Sequence, residues 1–291
     1  MLSLHTNAAS LSAQNSLSST QSKLSTSMTR LSTGYRINSA SDDAAGLQIA
    51  TRLKSQTSGM AVAMRNTQNS VSMLQTAEGG LDEVTNILTR MKDLATQSAD
   101  ASSSTDDQTA MQKEYDSLTD ELSNIFSNTK FGGTALLSTT GKLATAVTFQ
   151  IGADASEQMT ATFTTDLITN VHGKIALAAT AFKADGTAAA ATGSEINLTN
   201  ANGTIAKLDT AIDNVSALRS KIGAVSNRLD HVYNNLSNIS TNTQAAAGRI
   251  MDVDFATESA KMTSSQMLMQ AGTAMLKQTN QMSSMVMSLL Q

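Results

Sequence analysis

Apolar side chains recur along this chain at alternating intervals of three and four residues, in several separate runs. The longest run is Val215, Leu218, Ile222, Val225, Leu229, Val232, Leu236 and Ile239. It continues through Ala246, Ile250 and Val253, with Thr243 its one polar member. A second run joins Leu74, Ala77, Leu81, Val84, Leu88, Met91 and Ala95, and a third joins Met111, Tyr115, Leu118, Leu122 and Ile125. Each pattern draws an apolar stripe down one face of a helix, which is stable only against a facing helix. At 1.5 Å per residue, the segment from about 205 to 250 is predicted to be a rod roughly 65–70 Å long.

The chain ends carry the same spacing. Leu268, Ala271, Met275, Met282, Met285 and Leu289 form a seam broken by Gln278. At the other end Leu4, Ala8 and Leu11 are followed, after a phase shift, by Leu17, Leu24, Met28 and Leu31, with Gln21 the interruption. A side-chain repeat of 3.5 residues cannot be buried by one helix alone, so each end asks for partner helices. Two such seams on one chain point to an assembling protein.

Punctuation divides the helical text. Gly34 is expected to end the first helix, and Ser41 to cap the next, with Asp42 and Asp43 in its first turn. Thr105 with Gln108 fits a capping box, and Phe131-Gly132-Gly133 fits the stop of the helix it opens. A matching break is expected at 248–254, so the two breaks fall at one level if the ends pair. Gly79-Gly80 is either a local weak spot or a place where a neighbour packs on bare backbone, since each Gly costs about 1 kcal/mol relative to Ala within a helix. Residues 146–151 and 159–163 alternate as half-buried strands around a turn at 153–156. Residues 173–195 are Ala-, Thr- and Gly-rich and weakly patterned, and are expected to form a small exposed excursion.

Composition narrows the picture mainly by what it lacks. The 291 residues contain no Pro, Cys or Trp, and aromatics are 3%. Absence of Pro suits long uninterrupted helices, and absence of Cys excludes disulfides and thiolate metal sites. A net charge of −4 argues against nucleic acid as a partner. No run approaches 18 apolar residues, so no membrane span is expected, and the first residues lack the basic and apolar regions of a cleaved signal. His5, His172 and His231 are far apart without a His-Glu-x-x-His, and each is expected to be solvated or locally hydrogen-bonded. Gly141-Lys142 and Gly173-Lys174 fail as phosphate loops: Leu136 and Ile168 stand where the first Gly is required, and Leu143 and Ile175 where Ser or Thr is required. Neither a cofactor nor an enzyme activity is expected.

Thr29-Arg-Leu-Ser-Thr-Gly-Tyr-Arg-Ile-Asn-Ser-Ala-Ser-Asp-Asp-Ala-Ala-Gly-Leu-Gln-Ile-Ala50 resembles the N-terminal signature of bacterial flagellin. Gln75-Thr-Ala-Glu-Gly, residues 123–137 and Phe149-Gln-Ile-Gly extend the likeness. Ile222-Gly-Ala, Asn227-Arg-Leu, Arg249-Ile-Met-Asp-Val-Asp-Phe-Ala, Gln270-Ala-Gly-Thr-Ala-Met-Leu and Ser288-Leu-Leu resemble its C-terminal half. Together they cover about residues 1–165 and 200–291. The chain departs from the family at Gly132 after Phe131, at Gly248, and at Asn280-Gln-Met-Ser-Ser284, where Pro is common.

The resemblance implies a mainly α fold of long coiled-coil-like helices, made by pairing N- and C-terminal segments, with a small β-hairpin region in the middle. It implies that residues 1–40 with 253–291 form an inner-tube domain and residues 41–165 with 200–252 an outer-tube domain, 166–199 being a short surface-exposed segment. It also implies export in an unfolded state, polymerisation at the distal tip of an extracellular flagellar filament, and motility as the function. The expected partners are identical subunits, cap and hook-filament junction proteins, an export chaperone and host innate immune receptors; neither nucleic acid nor membrane is among them. Leu4, Leu11, Leu17, Leu24, Met28, Leu31, Leu268, Met275, Met282, Met285 and Leu289 are the expected filament-interface residues. Residues 29–50, with Arg36, Asp42 and Asp43, resemble the epitope of plant flagellin receptors, though Tyr35 and Ser41 depart from it. Arg90, Leu94 and Glu114 match the site read by the flagellin-sensing Toll-like receptor of mammals, Thr89 replacing the usual Gln. Arg90 and Leu94 are expected beside the core seam of Leu88 and Met91. A hook-associated junction protein shares the terminal seams but is expected to have a larger middle, and a generic coiled-coil adaptor leaves the ordered motifs unexplained.

Overall fold

The structure is a computed structural model that describes residues 7–185 and 193–288, with side chains described as far as residue 281. Among the described residues six α-helices dominate: α1 (Ala8–Thr33), α2 (Ala44–Ser98), α3 (Thr105–Asn128), α4 (Gly173–Ala178), α5 (Ala201–Met251) and α6 (Phe255–Ser288). With no Pro to interrupt them, α2 runs for 55 residues and α5 for 51. The chain divides into two compact units, Met1–Thr57 with Thr241–Gln291, and Ser58–Ser240.

In the unit Ser58–Ser240 the three predicted runs face one another. Leu74, Leu81, Leu88 and Met91 of α2 meet Tyr115, Leu122 and Phe126 of α3 and Val215, Leu218, Ile222 and Leu229 of α5, all at most 1% exposed. The Tyr115 hydroxyl remains satisfied by donating to the Ala178 carbonyl at 2.9 Å. Gly80 resolves the two readings of the Gly pair: a Cβ there would lie 2.8 Å from Thr129 Oγ1 and 3.2 Å from Leu137 Cδ1, so this backbone is packed against its neighbour, while Gly79 is open.

Helix ends follow the expected chemistry with shifted positions. Gly34 closes α1 in the left-handed region with its N–H on the Arg30 carbonyl. The capping box of α3 is Ser104 with Asp107, one residue before the expected Thr105 and Gln108. The cap of α2 is Asp43 and not Ser41: Asp43 Oδ1 accepts from the Gly46 N–H at 2.8 Å. Gly132-Gly133 does not stop α3, which closes at Thr129. The pair makes the two-residue turn between β1 (Lys130–Phe131) and β2 (Thr134–Ala135), with φ of +57° and +81°. Positive φ at both central positions matches the hairpin twist, and a residue with a Cβ would cost roughly 1–2 kcal/mol at each.

Strands β3 (Ala146–Gln150) and β4 (Gln158–Thr162) pair antiparallel with Val147 opposite Ala161 and Phe149 opposite Met159. These four side chains enter the core and their neighbours face out, which is the expected alternation.

The exposed excursion expected at 173–195, and the surface segment at 166–199, are corrected by the described residues. A wide π-helical turn over Thr165–His172 leads into α4, and Leu167, Val171, Ile175, Ala178 and Phe182 are core residues. Ser123 Oγ accepts from the Lys183 N–H at 3.1 Å, and Gln112 Oε1 from the Ile196 N–H at 3.0 Å, fastening the segment to α3. Wide turns and Ala side chains blur the 3.6-residue period, so burial here leaves little apolar pattern to read. Residues 186–192 lie outside the described residues.

His172 is likewise not solvated. It is 6% exposed, with the Phe126 ring edge-on at 4.9 Å, and neither ring nitrogen has a hydrogen-bond partner. Burial holds its pKa down at about 4, against a smaller upward pull from the nearby Leu137 backbone, with which it makes no hydrogen bond of good geometry.

Candidate assembly and recognition surfaces

Helices α1 and α6 run antiparallel in the unit that holds the chain ends. Ser10 Oγ donates to Asn280 Oδ1 near one end of the pair, and Ser27 Oγ to Glu258 Oε1 near the other, at 3.3 and 2.6 Å. On α1 the inward face is Ser10, Ala13, Leu17, Thr20, Leu24, Ser27 and Leu31. On α6 it is Glu258, Met262, Ser265, Met269, Gly272, Leu276 and Thr279. Both sets keep the 3/4 spacing of a coiled coil, yet half or more of each is small or polar. A Cβ on Gly272 would stand 3.3 Å from Leu17 Cδ1, so the backbones approach closely there.

The expected interface residues divide between two faces. Leu17, Leu24 and Leu31 turn toward α6, whereas Leu11 is 55% and Met28 46% exposed. Leu268 and Met275, expected to form the α6 seam, are 59% and 62% exposed, and Met267 beside them 59%. Successive residues on a helix differ by about 100° in direction, so the 262–269–276 stripe faces α1 and the 268–271–275 stripe is turned away from it. Leu4 and Leu289 lie outside the described residues, as do the side chains of Met282 and Met285.

Glu258 is the residue that pattern reading missed. It is 4% exposed, and besides Ser27 it has Arg30 Nη1 at 3.9 Å and Lys261 Nζ at 3.5 Å. The Ser27 hydrogen bond, then the nearby cations, hold its carboxyl below the usual range despite burial. The available signal was its place at the head of the 258–262–265–269–272–276–279 spacing.

The two breaks meet at one level, as the paired ends require. Tyr35 bridges Asp252: the Val253 N–H donates to Gly34 O at 3.0 Å and the Arg36 N–H to Met251 O at 2.6 Å. The Arg36 guanidinium adds a bond from Nη2 to Ile250 O at 3.0 Å. Asp42 Oδ2 accepts from the N–H groups of Asn38 and Ser39, each at 3.0 Å, and these bonds hold its pKa down. Arg36, Asp42 and Asp43 are therefore joined to one loop, each with a structural task and each solvent-exposed.

Arg90 of α2 and Glu114 of α3 form an exposed two-point pair, Nε and Nη2 on Glu114 Oε1 at 3.0 and 2.6 Å. Leu94 does not join them at the surface. At 2% exposed it belongs to the core with Leu88 and Met91, because one turn beyond Arg90 the stripe of α2 has rotated inward. Among the described residues, no group of three or more His, Cys, Asp or Glu is placed to hold a metal ion, and no helix is long and apolar enough to cross a membrane.

Comparison with known proteins gives these surfaces a context. Residues 4–142 match the family model of the bacterial flagellin N-terminal helical region, and residues 205–290 that of the bacterial flagellin C-terminal helical region. A flagellin of Bacillus subtilis (strain 168) is 37% identical over 302 residues, covering 99% of both chains. Flagellin A of Vibrio anguillarum is 34% identical over 380 residues, covering 100% of both. Among solved structures, a crystal structure of Bacillus cereus flagellin aligns at 33% identity and a TM-score of 0.47 over 63% of this chain and 94% of its own. The chain belongs to the bacterial flagellin family, whose members are structural subunits of the extracellular flagellar filament and not enzymes.

Proposed function

We propose that this chain is exported unfolded with an export chaperone, and that it polymerises with identical copies at the distal tip, between a cap and the hook-filament junction proteins. Residues 1–40 with 253–291 then form the inner tube and residues 41–165 with 200–252 the outer tube. The observation that carries the reading is the apolar stripe of Leu268, Ala271 and Met275, with Leu11 and Met28 on the paired helix, left without cover while small and polar residues take half or more of the internal seam. Burying each large side chain of that stripe against a neighbouring subunit contributes on the order of 1.5–3 kcal/mol. Replacing Leu268 and Met275 together by Asn should raise the critical concentration for seeded elongation steeply. Circular dichroism should show the unit Ser58–Ser240 still folded. Normal elongation of the double variant removes this face from the mechanism.

A secondary role as a target of innate immune receptors is supported by the accessible Arg90–Glu114 pair and by the exposed Arg36, Asp42 and Asp43. Leu94, being buried, contributes by shaping the helix surface and not by contact. R90A should weaken binding of a purified receptor ectodomain to the monomer without changing its melt. Equal binding of wild type and R90A assigns Arg90 to packing alone.

A further inference from the structure

The methionines among the described residues are sorted by exposure. Met60, Met73, Met91, Met111 and Met159, all in the unit Ser58–Ser240, are no more than 8% exposed. Among the described residues the three methionines exposed by more than a third are Met28, Met267 and Met275, and all three lie on α1 or α6. Met267, Ala271 and Met275 stand in one i, i+4, i+8 row, flanked by Leu268, so two thioethers share the patch that the assembly reading assigns to a neighbouring subunit.

We propose that Met28, Met267 and Met275 are peroxide-reactive modification sites, and that their oxidation in the free subunit blocks polymerisation; this rests on the assembly reading above. The chemistry requires one co-reactant, a two-electron oxidant of the hydroperoxide class. A thioether lone pair attacks the terminal peroxide oxygen, the O–O bond breaks, sulfur is oxidised to the sulfoxide, and the other peroxide oxygen departs after proton transfer as water from hydrogen peroxide or as the alcohol from an organic hydroperoxide. The sulfoxide is polar and a strong hydrogen-bond acceptor, so an apolar contact becomes a site that prefers water. Reaction follows access to sulfur. The free subunit is therefore the vulnerable form, whereas burial by a neighbour protects the same sulfurs. Leu in these positions would supply similar apolar area without that liability, and Met adds a flexible side chain that adapts to more than one packing.

The test treats full-length subunits with hydrogen peroxide, maps every methionine by peptide mass spectrometry, and measures seeded elongation across subunit concentrations. One added oxygen should accumulate at Met28, Met267 and Met275 while Met60, Met73 and Met91 are spared, and the critical concentration should rise roughly tenfold or more. M28L/M267L/M275L should elongate after the same treatment. Recovery of wild-type elongation after a methionine sulfoxide reductase and a thiol reductant remove the oxygens supplies a second measurement independent of the variant. Equal oxidation of the core methionines, unchanged elongation of oxidised wild type, loss of elongation in the treated triple variant, or no recovery after reduction each overturns the proposal. Failure of untreated subunits to elongate on seeds is a different result, which overturns the assembly reading itself.

Discussion

Replacing His172 by Leu isolates the effect of a single buried imidazole on acid stability. The ring lies among Phe126 and Phe182 without a hydrogen-bond partner, so the core accommodates the neutral form and resists the charged one. Its pKa is about 4 in the folded chain against an ordinary value of 6.5. Below about pH 6.5 the unfolded chain takes up a proton that the folded chain refuses until about pH 4. Stability is therefore complete above the ordinary value, falls as the pH drops between the two, and stops falling from this source once both forms are protonated. The gap corresponds to about 3 kcal/mol, a large share of the 5–15 kcal/mol typical of a domain. Leu is close to His in volume and should leave the stability at neutral pH within about 1.5 kcal/mol. The assay is urea unfolding of both proteins from about pH 7.5 to about pH 4. Carboxylates titrate in part of that range in both proteins, so the informative quantity is the difference between the two curves. That difference should grow in favour of H172L as the pH falls. A flat difference would refute the argument and show that the ring is hydrated or partnered.

Three further outcomes follow from the same geometry. L229D places an unpaired carboxylate at a fully buried position beside Val225, at a cost of several kcal/mol, and should abolish the cooperative melt of the unit Ser58–Ser240; an unchanged transition by circular dichroism would place Leu229 in solvent. E258Q keeps the shape of the buried acid but removes its charge from Ser27 and Arg30, and should speed hydrogen exchange in α1 and the start of α6, by an amount on the order of 1–2 kcal/mol. The Glu258 carboxyl is held below its ordinary pKa, so its contribution is present above about pH 4.5 and lost as the pH falls through the lowered value; exchange that is equal in wild type and E258Q at neutral pH would count against it. Limited proteolysis of monomer should cut within α1 and α6 before the unit Ser58–Ser240, with filament resistant at the same sites. Equal resistance of the arms in monomer and filament would separate their ordering from assembly.

The long helices were legible because their runs are buried on one face by other helices of the same chain: the α2, α3 and α5 stripes read from spacing are the stripes found in the core. On α6 the same method read a face that no helix of this chain covers. There the apolar spacing Leu268–Ala271–Met275 reports a face that this single chain leaves uncovered, while the face turned to α1 interrupts Met262, Met269 and Leu276 with Glu258, Ser265, Gly272 and Thr279 and so carries a weaker apolar pattern. Periodicity identifies what must be buried, not by which partner. Leu94 shows the converse, since a side chain one position off an ideal stripe is still enclosed when helices pack on both sides. The π-helical turn at Thr165–His172 and the Ala-rich run after it were illegible for another reason: the wide turn spaces Leu167, Val171 and Ile175 four residues apart, outside the 3/4 alternation, and the run after it is held by backbone N–H bonds to α3 side chains and by Ala, which leave little hydropathy signal.

An internal seam in which Ser, Thr, Gly and a buried acid alternate with Leu and Met is weaker than a wholly apolar one, and that weakness is consistent with the proposed export and assembly. Loss of chain entropy on ordering costs roughly 1–2 kcal/mol per residue, and a helix pair that turns Leu11, Met28, Leu268 and Met275 outward recovers little of it from its own burial. The specific bonds at its two ends, Ser10 to Asn280 and Ser27 to Glu258, determine which residues face each other more than they stabilise the pair. Most of the remaining free energy can come only from covering the outward stripe. A subunit built this way can be unfolded without opposing a strong terminal core, yet acquires a defined register as soon as neighbours supply the missing apolar contacts. Strengthening the internal seam, for example by placing Leu at Ser265, would test that balance: it should protect the monomer arms from protease and slow export, while changing the critical concentration much less than removal of Leu268 and Met275 does.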